Sequence, residues 1–492
     1  MMKKILWILL TGMLSLPATA QTDSLRFRHF SAVQLRADFN QLRQALEKMH
    51  PGLYRYASRS DMQHYMDSLY ASLKDSTAFY DWYNTCTALT AYIRCAHTGA
   101  KPMAGFDRYY NHRTRFFPFS THWIGDSVYI SLNHTTDTTI KPFWQLLSIN
   151  GRSMPAIRRV LAAHMSGDGE IQAEKKQQQF NLGMFQFLYY VHIERPDSFT
   201  ITYRDDKGNT GSLTAAAATV PVINRRTGEN PVNRGILKMY AARSEKNRKQ
   251  PWRLDIIDTT GVLTIRTFGA VGKMDMGRFL DESMRTLQQK KIRRLIIDVR
   301  NNNGGADTLG VLLFRYLIHQ PSRYYLRQYA VSMDSSYLRY SDLSEEEKQH
   351  AAEEVIPEPD GTFTLKAAHT AGVSLQYPAA NAFTGKVMVL MNGASYSTAS
   401  EFLGAVKASK AATLIGEECA GNYSGGNGGS FLHIPLAHTG VEVSIPLIYY
   451  ECYTTPPVLP GRGALPDITV PDDIGLIKTG KDTQLEYALQ LK

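Results

Sequence analysis

The chain has 492 residues, 43% of them hydrophobic and 20% charged, and a formal net charge of +10 from 55 basic and 45 acidic side chains. That much apolar material can fill about two to four domain cores and excludes a disordered chain. The basic residues are scattered, with no Lys/Arg block interleaved with aromatics, so no nucleic-acid partner is expected.

Residues 1–20 read as an export signal. Lys3 and Lys4 precede an apolar stretch over 5–16, and Ala18-Thr19-Ala20 offers a small-x-small cleavage site. The expected product is periplasmic or secreted and cleaved near Ala20. No cysteine follows the apolar stretch and no second run of about eighteen apolar residues occurs, so neither a lipid anchor nor stable membrane insertion is expected. The four cysteines, Cys86, Cys95, Cys419 and Cys452, have no CxxC spacing, and no metal site is expected from them. An oxidising compartment permits disulfides among them, and buried free thiols are the other reading.

Ser31 and Gln34 form a capping-box pattern ahead of Leu35, Phe39, Leu42, Leu46 and Met49, which predicts an amphipathic helix stopped by His50-Pro51-Gly52. Two further amphipathic runs follow, and residues 25–105 read as a helical domain ending in Ala96-His97-Thr98-Gly99. Residues 112–217 become β-like, with strands near 128–132, 145–149 and 198–203, a turn at Asn150-Gly151 and one helix from Pro155. Residues 218–252 are polar and basic and read as a linker or exposed arm. Residues 253–492 alternate strands and helices in the manner of a parallel sheet. Within 332–384 the pattern is irregular, and Ser344-Glu-Glu-Glu347 reads as a helix start.

Two stretches share one plan, a buried strand running into small residues before a helix. One is Asp298-Val-Arg-Asn-Asn-Asn-Gly304-Gly305; the other runs from Ser395 to Glu401. In open α/β sheets sites form beyond the carboxyl ends of strands, so both loops belong on one rim. Serines at a helix start are ordinary caps, but they also suit nucleophilic chemistry, because first-turn N–H groups can hold an oxyanion. Paired glycines let backbone N–H groups approach a ligand.

The set of motifs resembles the C-terminal processing peptidases and tricorn-core proteases, the S41-type serine peptidases. Asp298-x-Arg300-x-Asn302-x-Gly304-Gly305 is similar to their DxRxNxGG loop, and Tyr396-Ser397-Thr398-Ala399-Ser400-Glu401-Phe402 to the FSAxEEF nucleophile loop of the tricorn-like branch. Gly416-Glu417 and Gly461-Arg-Gly-Ala-Leu-Pro466-Asp467-Ile468 match two further motifs in the family's order. The resemblance implies a multidomain α/β chain: an N-terminal helical domain, a PDZ-like α+β domain and a C-terminal α/β peptidase domain of ClpP/crotonase-like fold. It implies Ser397 as nucleophile, with Ser395 and Ser400 as competitors, and Thr398 with Gly304 or Gly305 as oxyanion donors.

The processing branch takes its base from a lysine, but Asn422 stands at that position, and Lys407 and Lys410 read as solvated surface. The tricorn-like branch uses a histidine from its helical domain, which Ala96-His97-Thr98 resembles, so His97 is the expected base. That branch has a serine before the histidine, where this chain has Ala96, and a glutamate that orients it, for which Glu451 is the candidate and Glu417 and Glu418 are alternatives. No cofactor is implied. The expected function is an exported serine endopeptidase acting on unfolded or flexible polypeptides through an acyl-enzyme. The alternatives are a non-catalytic ligand- or peptide-binding protein of the same fold, of which retinoid-binding proteins are an instance, and an esterase or amidase.

Overall fold

The structure, a computed structural model, describes residues 24–171 and 179–491. The export signal expected in residues 1–20 lies outside them.

The chain opens with α1 (Ala32–Met49), α2 (Arg59–Ser72) and α3 (Phe79–Tyr92). Ser31 and Gln34 make both hydrogen bonds of the capping box, and Leu35, Phe39, Leu42, Leu46 and Met49 are buried along one face of α1. A short strand, β1 (Gly99–Lys101), follows the Ala96-His97-Thr98 segment.

The middle of the chain is an antiparallel sheet of β2 (Phe119–Ile124), β3 (Ser127–Asn133), β4 (Gln145–Ile149), β5 (Ser198–Arg204) and β6 (Thr210–Ala216), in that spatial order. Asn150 and Gly151 both take positive φ, 47° and 77°, as a two-residue hairpin turn requires. Two helices, α4 (Met154–Ala162) and α5 (Phe185–His192), contribute Ile157, Leu161, Phe185 and Tyr189 to this sheet's core.

Residues 218–252, expected to be a linker, instead form α6 (Val220–Glu229) and α7 (Arg234–Lys249). They are seated by apolar and polar contacts together. Ile223 is buried in the core that also holds α1–α3. Between the two helices, the side-chain carbonyl of the buried Asn233 accepts the Asn133 N–H at 2.9 Å, and its amide donates to the Asn133 carbonyl at 2.7 Å. Few buried apolar positions leave little periodicity to read.

The last part of the chain has β7 (Trp252–Ile257), β8 (Thr260–Ile265), α8 (Met276–Gln289), β9 (Arg294–Asp298), α9 (Asp307–Arg315), β10 (Tyr325–Ala330), β11 (Lys386–Met391), α10 (Thr398–Ser409), β12 (Thr413–Gly416), β13 (Gly425–Pro435), β14 (Glu442–Cys452), β15 (Ile468–Thr469) and α11 (Thr483–Gln490). The main sheet runs β7-β8-β9-β11-β12-β15, antiparallel at β7/β8 and parallel elsewhere. In its centre Asp298 pairs with Leu390. The loops after β9 and β11 therefore leave the sheet level with each other, on the single rim that the sequence implied. Residues 332–384 hold two short helices, and Ser344 with Glu347 caps the second as a capping box.

A second sheet is built on the long β13–β14 hairpin. The other edge of β14 takes β10 along one half, with Tyr329 opposite Tyr449, and β1 along the other, with Ala100 opposite Val443. The helices α1–α3 do not close a core of their own. Leu432, Ile434, Leu436, Val441, Val443, Ile445 and Leu447 of the hairpin complete it. At the hairpin tip the buried Asp38 carboxylate accepts the N–H of His438 at 2.9 Å, the N–H of Thr439 at 2.9 Å and the Thr439 hydroxyl at 2.7 Å. The Trp82 indole N–H donates to Thr439 Oγ1 at 3.0 Å. The four cysteines are free and buried. Among the described residues no helix is long and apolar enough to cross a membrane, and no group of three or more His, Cys, Asp or Glu could hold a metal ion.

Candidate active site

The loop after β9 owes its shape to a buried ion network. Asp298 is gripped by Arg266 (2.6 Å) and Arg300 (2.8 Å), and Arg300 reaches Asp482 at 2.6 Å. Burial alone would raise the Asp298 carboxyl, but the two guanidinium groups outweigh it and hold it far below the usual carboxylate range. Asn302 is fully buried; its amide donates to the Ile265 carbonyl at 3.0 Å and its side-chain oxygen accepts the Gly304 N–H at 2.9 Å. Asp298, Arg300 and Asn302 thus set the path of the backbone that carries Gly304 and Gly305.

Asp298→Asn is expected to cost about 3–5 kcal/mol at pH 7, because Arg266 loses its anion and the buried Arg300 loses one of its two. A carboxyl depressed in the folded state contributes stability above its unfolded pKa, about 3.9, and loses it as the pH falls. The gap between wild type and variant should therefore narrow by about 1 kcal/mol at pH 3, as read by urea unfolding at the two pH values.

The three serines of the second loop separate cleanly. Ser395 is fully buried and donates to the Val299 carbonyl at 2.9 Å. Ser400 donates to the Ser397 carbonyl at 2.7 Å. Ser397 caps α10 with φ 55° and ψ −130°, and its hydroxyl has no hydrogen-bond partner among the described residues. A serine with positive φ is strained, and such strain persists only where the surroundings enforce it. Here the enforcement is a zipper between the loops. Tyr396 N–H donates to the Asn302 carbonyl at 3.0 Å, and Thr398 Oγ1 donates to the Gly305 carbonyl at 2.8 Å.

Two backbone donors flank Ser397 without an acceptor among the described residues, the N–H groups of Thr398 and Gly305. The Gly304 N–H is committed to Asn302, so of the two glycines Gly305 is the one free to donate. Its direction follows from the peptide plane. The Gly304 carbonyl accepts the Phe268 N–H at 2.9 Å, so the trans Gly305 N–H points away from Phe268, toward the β11 side and Ser397. Gly304 approaches so closely that a methyl group on it would lie 2.7 Å from Ser397 Cβ.

His97 arrives from the helical part of the chain. Thr98 is anchored by the His50 imidazole (Nε2 to Oγ1, 2.7 Å), and β1 then pairs with β14. His50 Nδ1 accepts the Gly52 N–H at 2.9 Å, which assigns its proton to Nε2, and burial lowers its pKa to about 3. The His97 ring stacks on Tyr396, with centroids 4.5 Å apart, and its Nδ1 lies 2.5 Å from the Tyr396 hydroxyl. The structure therefore brings His97 to the neighbour of Ser397, while the direct Ser397–His97 hydrogen bond is not made. Burial, and next the charge of Asp168, raise the Tyr396 phenol well above its usual range, so it is a neutral hydroxyl.

Glu451, expected to orient His97, is not brought to it. Tyr450 and His97 both lie over Gly428, and strand alternation turns Glu451 to the other face of β14. Among the described residues the Glu451 side chain makes no hydrogen bond or ion pair; its charge bears on Tyr329 and Cys452. The carboxylate that does come close is Asp168, 5% exposed, whose Oδ1 accepts the Ala96 N–H at 2.6 Å. Its neighbours tie three parts of the chain together, with Gly169 N–H donating to the Arg94 carbonyl (3.0 Å) and Glu170 N–H to the Gly461 carbonyl (2.8 Å). Nothing in the sequence marked Asp168 except its place between Gly167 and Gly169. Glu401, one turn along α10, donates its N–H to the Ser397 carbonyl, and burial pushes its carboxyl up to about 7 despite the Tyr325 hydroxyl bond.

Asn422, at the position of the missing lysine, donates to the Tyr56 hydroxyl at 2.8 Å. Lys407, expected to be solvated surface, instead ties α10 to the Leu465 carbonyl (3.0 Å) and to Asp467 (3.2 Å).

Residues 259–451 match the model of peptidase family S41. The fold resembles the crystal structure of mature CPAF, with TM-score 0.61 and 13% sequence identity over 93% of this chain and 96% of that one. The structure of mature CPAF complexed with lactacystin gives TM-score 0.61 and 14% identity over 93% and 97%. At this identity the likeness concerns the fold. No curated protein sequence matches the chain.

Proposed function

From the premise that this chain is an S41-type serine peptidase, by the match of residues 259–451, we propose that it is an exported endopeptidase of the tricorn-like branch. It cleaves unfolded or flexible polypeptides, with Ser397 as nucleophile. The observation that carries this is the pairing of an unbonded, positive-φ Ser397 hydroxyl with the unspent N–H groups of Thr398 and Gly305. His97 is the base. Its Nδ1 is paired with the Tyr396 hydroxyl, leaving Nε2 to take the seryl proton and return it to the leaving amine. The oxyanion of the tetrahedral intermediate accepts from Thr398 and Gly305, where each donor is typically worth about two to three orders of magnitude in rate. Tyr396 supplies the hydroxyl that Ala96 cannot, and Asp168 fixes the backbone just before His97. The sheet of residues 112–217 is PDZ-like, and residues 1–20 direct export.

A binding protein of the same fold is the competing reading, favoured by the open Ser397–His97 contact. Apo catalytic contacts are often long, so that contact alone does not decide. Mature protein is incubated with a fluorophosphonate and mapped by mass spectrometry, beside digestion of a permanently unfolded fluorescent polypeptide. The expected result is an adduct on the peptide containing Ser397 and loss of digestion in the labelled sample. No adduct and no digestion would establish the binding reading.

A further inference from the structure

A cleft of 390 Å³ opens between the helical part of the chain and the middle sheet, and its floor includes Asn303 and Tyr396. Asn303 lies two residues before Gly305 and Tyr396 immediately before Ser397, so a group in the cleft borders the segments that carry both the oxyanion donors and the nucleophile. A volume of this order is at the small end of ligand pockets and suits one large side chain.

The described walls are uncharged. Among the described residues no Asp, Glu, Lys or Arg lines the cleft. Met165, Met184, Phe187 and Leu188 give it apolar surface, and His164 and His192 give it a flat one. The two imidazoles stack with centroids 4.5 Å apart and planes 5° apart, and Tyr83 extends the stack from His192 at 5.6 Å and 12°. Each ring is held by its Nδ1, His192 to Asn84 Oδ1 at 2.7 Å and His164 to Thr87 Oγ1 at 3.1 Å. Burial lowers both imidazoles, and for His192 the neighbouring His164 and Arg195 lower it further, so both are neutral near pH 7.

A charged side chain entering this cleft loses its hydration and meets no counter-charge. An aromatic one buries its surface, lies against flat rings and contacts methionine sulfur. We propose that this cleft receives a bulky uncharged side chain, aromatic by preference, of the substrate residue flanking the scissile bond. The proposal rests on Ser397 being the nucleophile and makes the enzyme selective for chain segments whose aromatic residues are exposed.

The test uses quenched-fluorescence peptides that differ only at one position on either side of the cleaved bond, carrying Phe, Ala, Lys or Glu. It is run with fluorophosphonates bearing a phenyl or an ammonium group near phosphorus. At one flanking position Phe should exceed Lys and Glu by at least fiftyfold in kcat/KM, and the phenyl probe should label at least tenfold faster. Met184→Glu, at an exposed part of the rim, should shift the ratio of kcat/KM for the Lys and Phe peptides toward Lys at least tenfold, with far-UV circular dichroism unchanged. Labelling of Ser397 with equal rates for both decorated probes, or a preference for Lys or Glu in wild type, would overturn the cleft assignment and leave the nucleophile standing. Absence of any labelling at Ser397 would overturn both.

Discussion

Ser397→Ala is expected to abolish fluorophosphonate labelling and to lower polypeptide hydrolysis by about four to six orders of magnitude. Its fold should be retained, because the Ser397 hydroxyl bonds nothing that alanine would orphan. The flanking serines should behave differently. Ser395→Ala removes the donor to the Val299 carbonyl inside the loop and should cost about 1–3 kcal/mol of stability while leaving labelling detectable. Ser400→Ala removes only a donor to the Ser397 carbonyl, within the first turn of α10, and should label at a rate near wild type. Mass-spectrometric mapping of the adduct in all three variants checks the assignment. Full labelling of Ser397→Ala at another serine would move the nucleophile.

Gly304→Ala is the second substitution expected to have a large effect. Gly304 has φ 95°, and the added methyl group would meet Ser397 Cβ at 2.7 Å, the Tyr396 carbonyl oxygen at 2.9 Å and the Thr398 nitrogen at 3.0 Å. Something on the Ser397 loop must move, and what moves is Ser397, the proposed nucleophile, or the neighbouring Thr398 N–H. The labelling rate should fall by about two orders of magnitude or more. Backbone strain of about 1–2 kcal/mol accompanies the change, so a control must carry strain without the clash. Gly272→Ala provides it, since Gly272 also has positive φ, 55°, but nothing lies within 4 Å of the added methyl. Its labelling rate should stay within a few-fold of wild type, with far-UV circular dichroism unchanged in both variants. Equal rates for Gly304→Ala and wild type would show that the Gly304 loop does not bear on Ser397.

The elements that carry these residues were legible wherever the signal is local. Apolar runs marked β9 and β11, and their level ends follow from the parallel sheet they imply. The Ser31 capping box, the helix start at Ser344 and the Asn150-Gly151 turn are fixed by a few adjacent residues and form as read. What escaped was set by contacts remote in sequence. The Tyr396 hydroxyl matters because β1 delivers His97 against it from 299 residues away. Asp168 matters because a carboxylate of the middle part of the chain meets the Ala96 N–H. The choice of Gly305 over Gly304 depends on where the Asn302 side chain turns. Glu451 was credible by order along the chain, but strand parity turns it away from His97. The helices over 220–249 were missed because few of their apolar residues are buried, Ile223 and Ile236 among them, and an amide pair on Asn233 between them does part of the seating.

The core that α1–α3 share with the β13–β14 hairpin also has a consequence in time. The hairpin residues that complete the seat of His97, Leu432 to Leu447, follow Ser397 in the chain. At a synthesis rate of about 5–20 residues per second, roughly 20 to 70 s pass between the emergence of His97 and of the hairpin strand that buries its supporting helices. Throughout that interval the nascent chain has an acidic cap in Asp38 with no turn to hold. His97 therefore has no fixed seat until Ser397 has already been made, and the newly made protein brings the two together last.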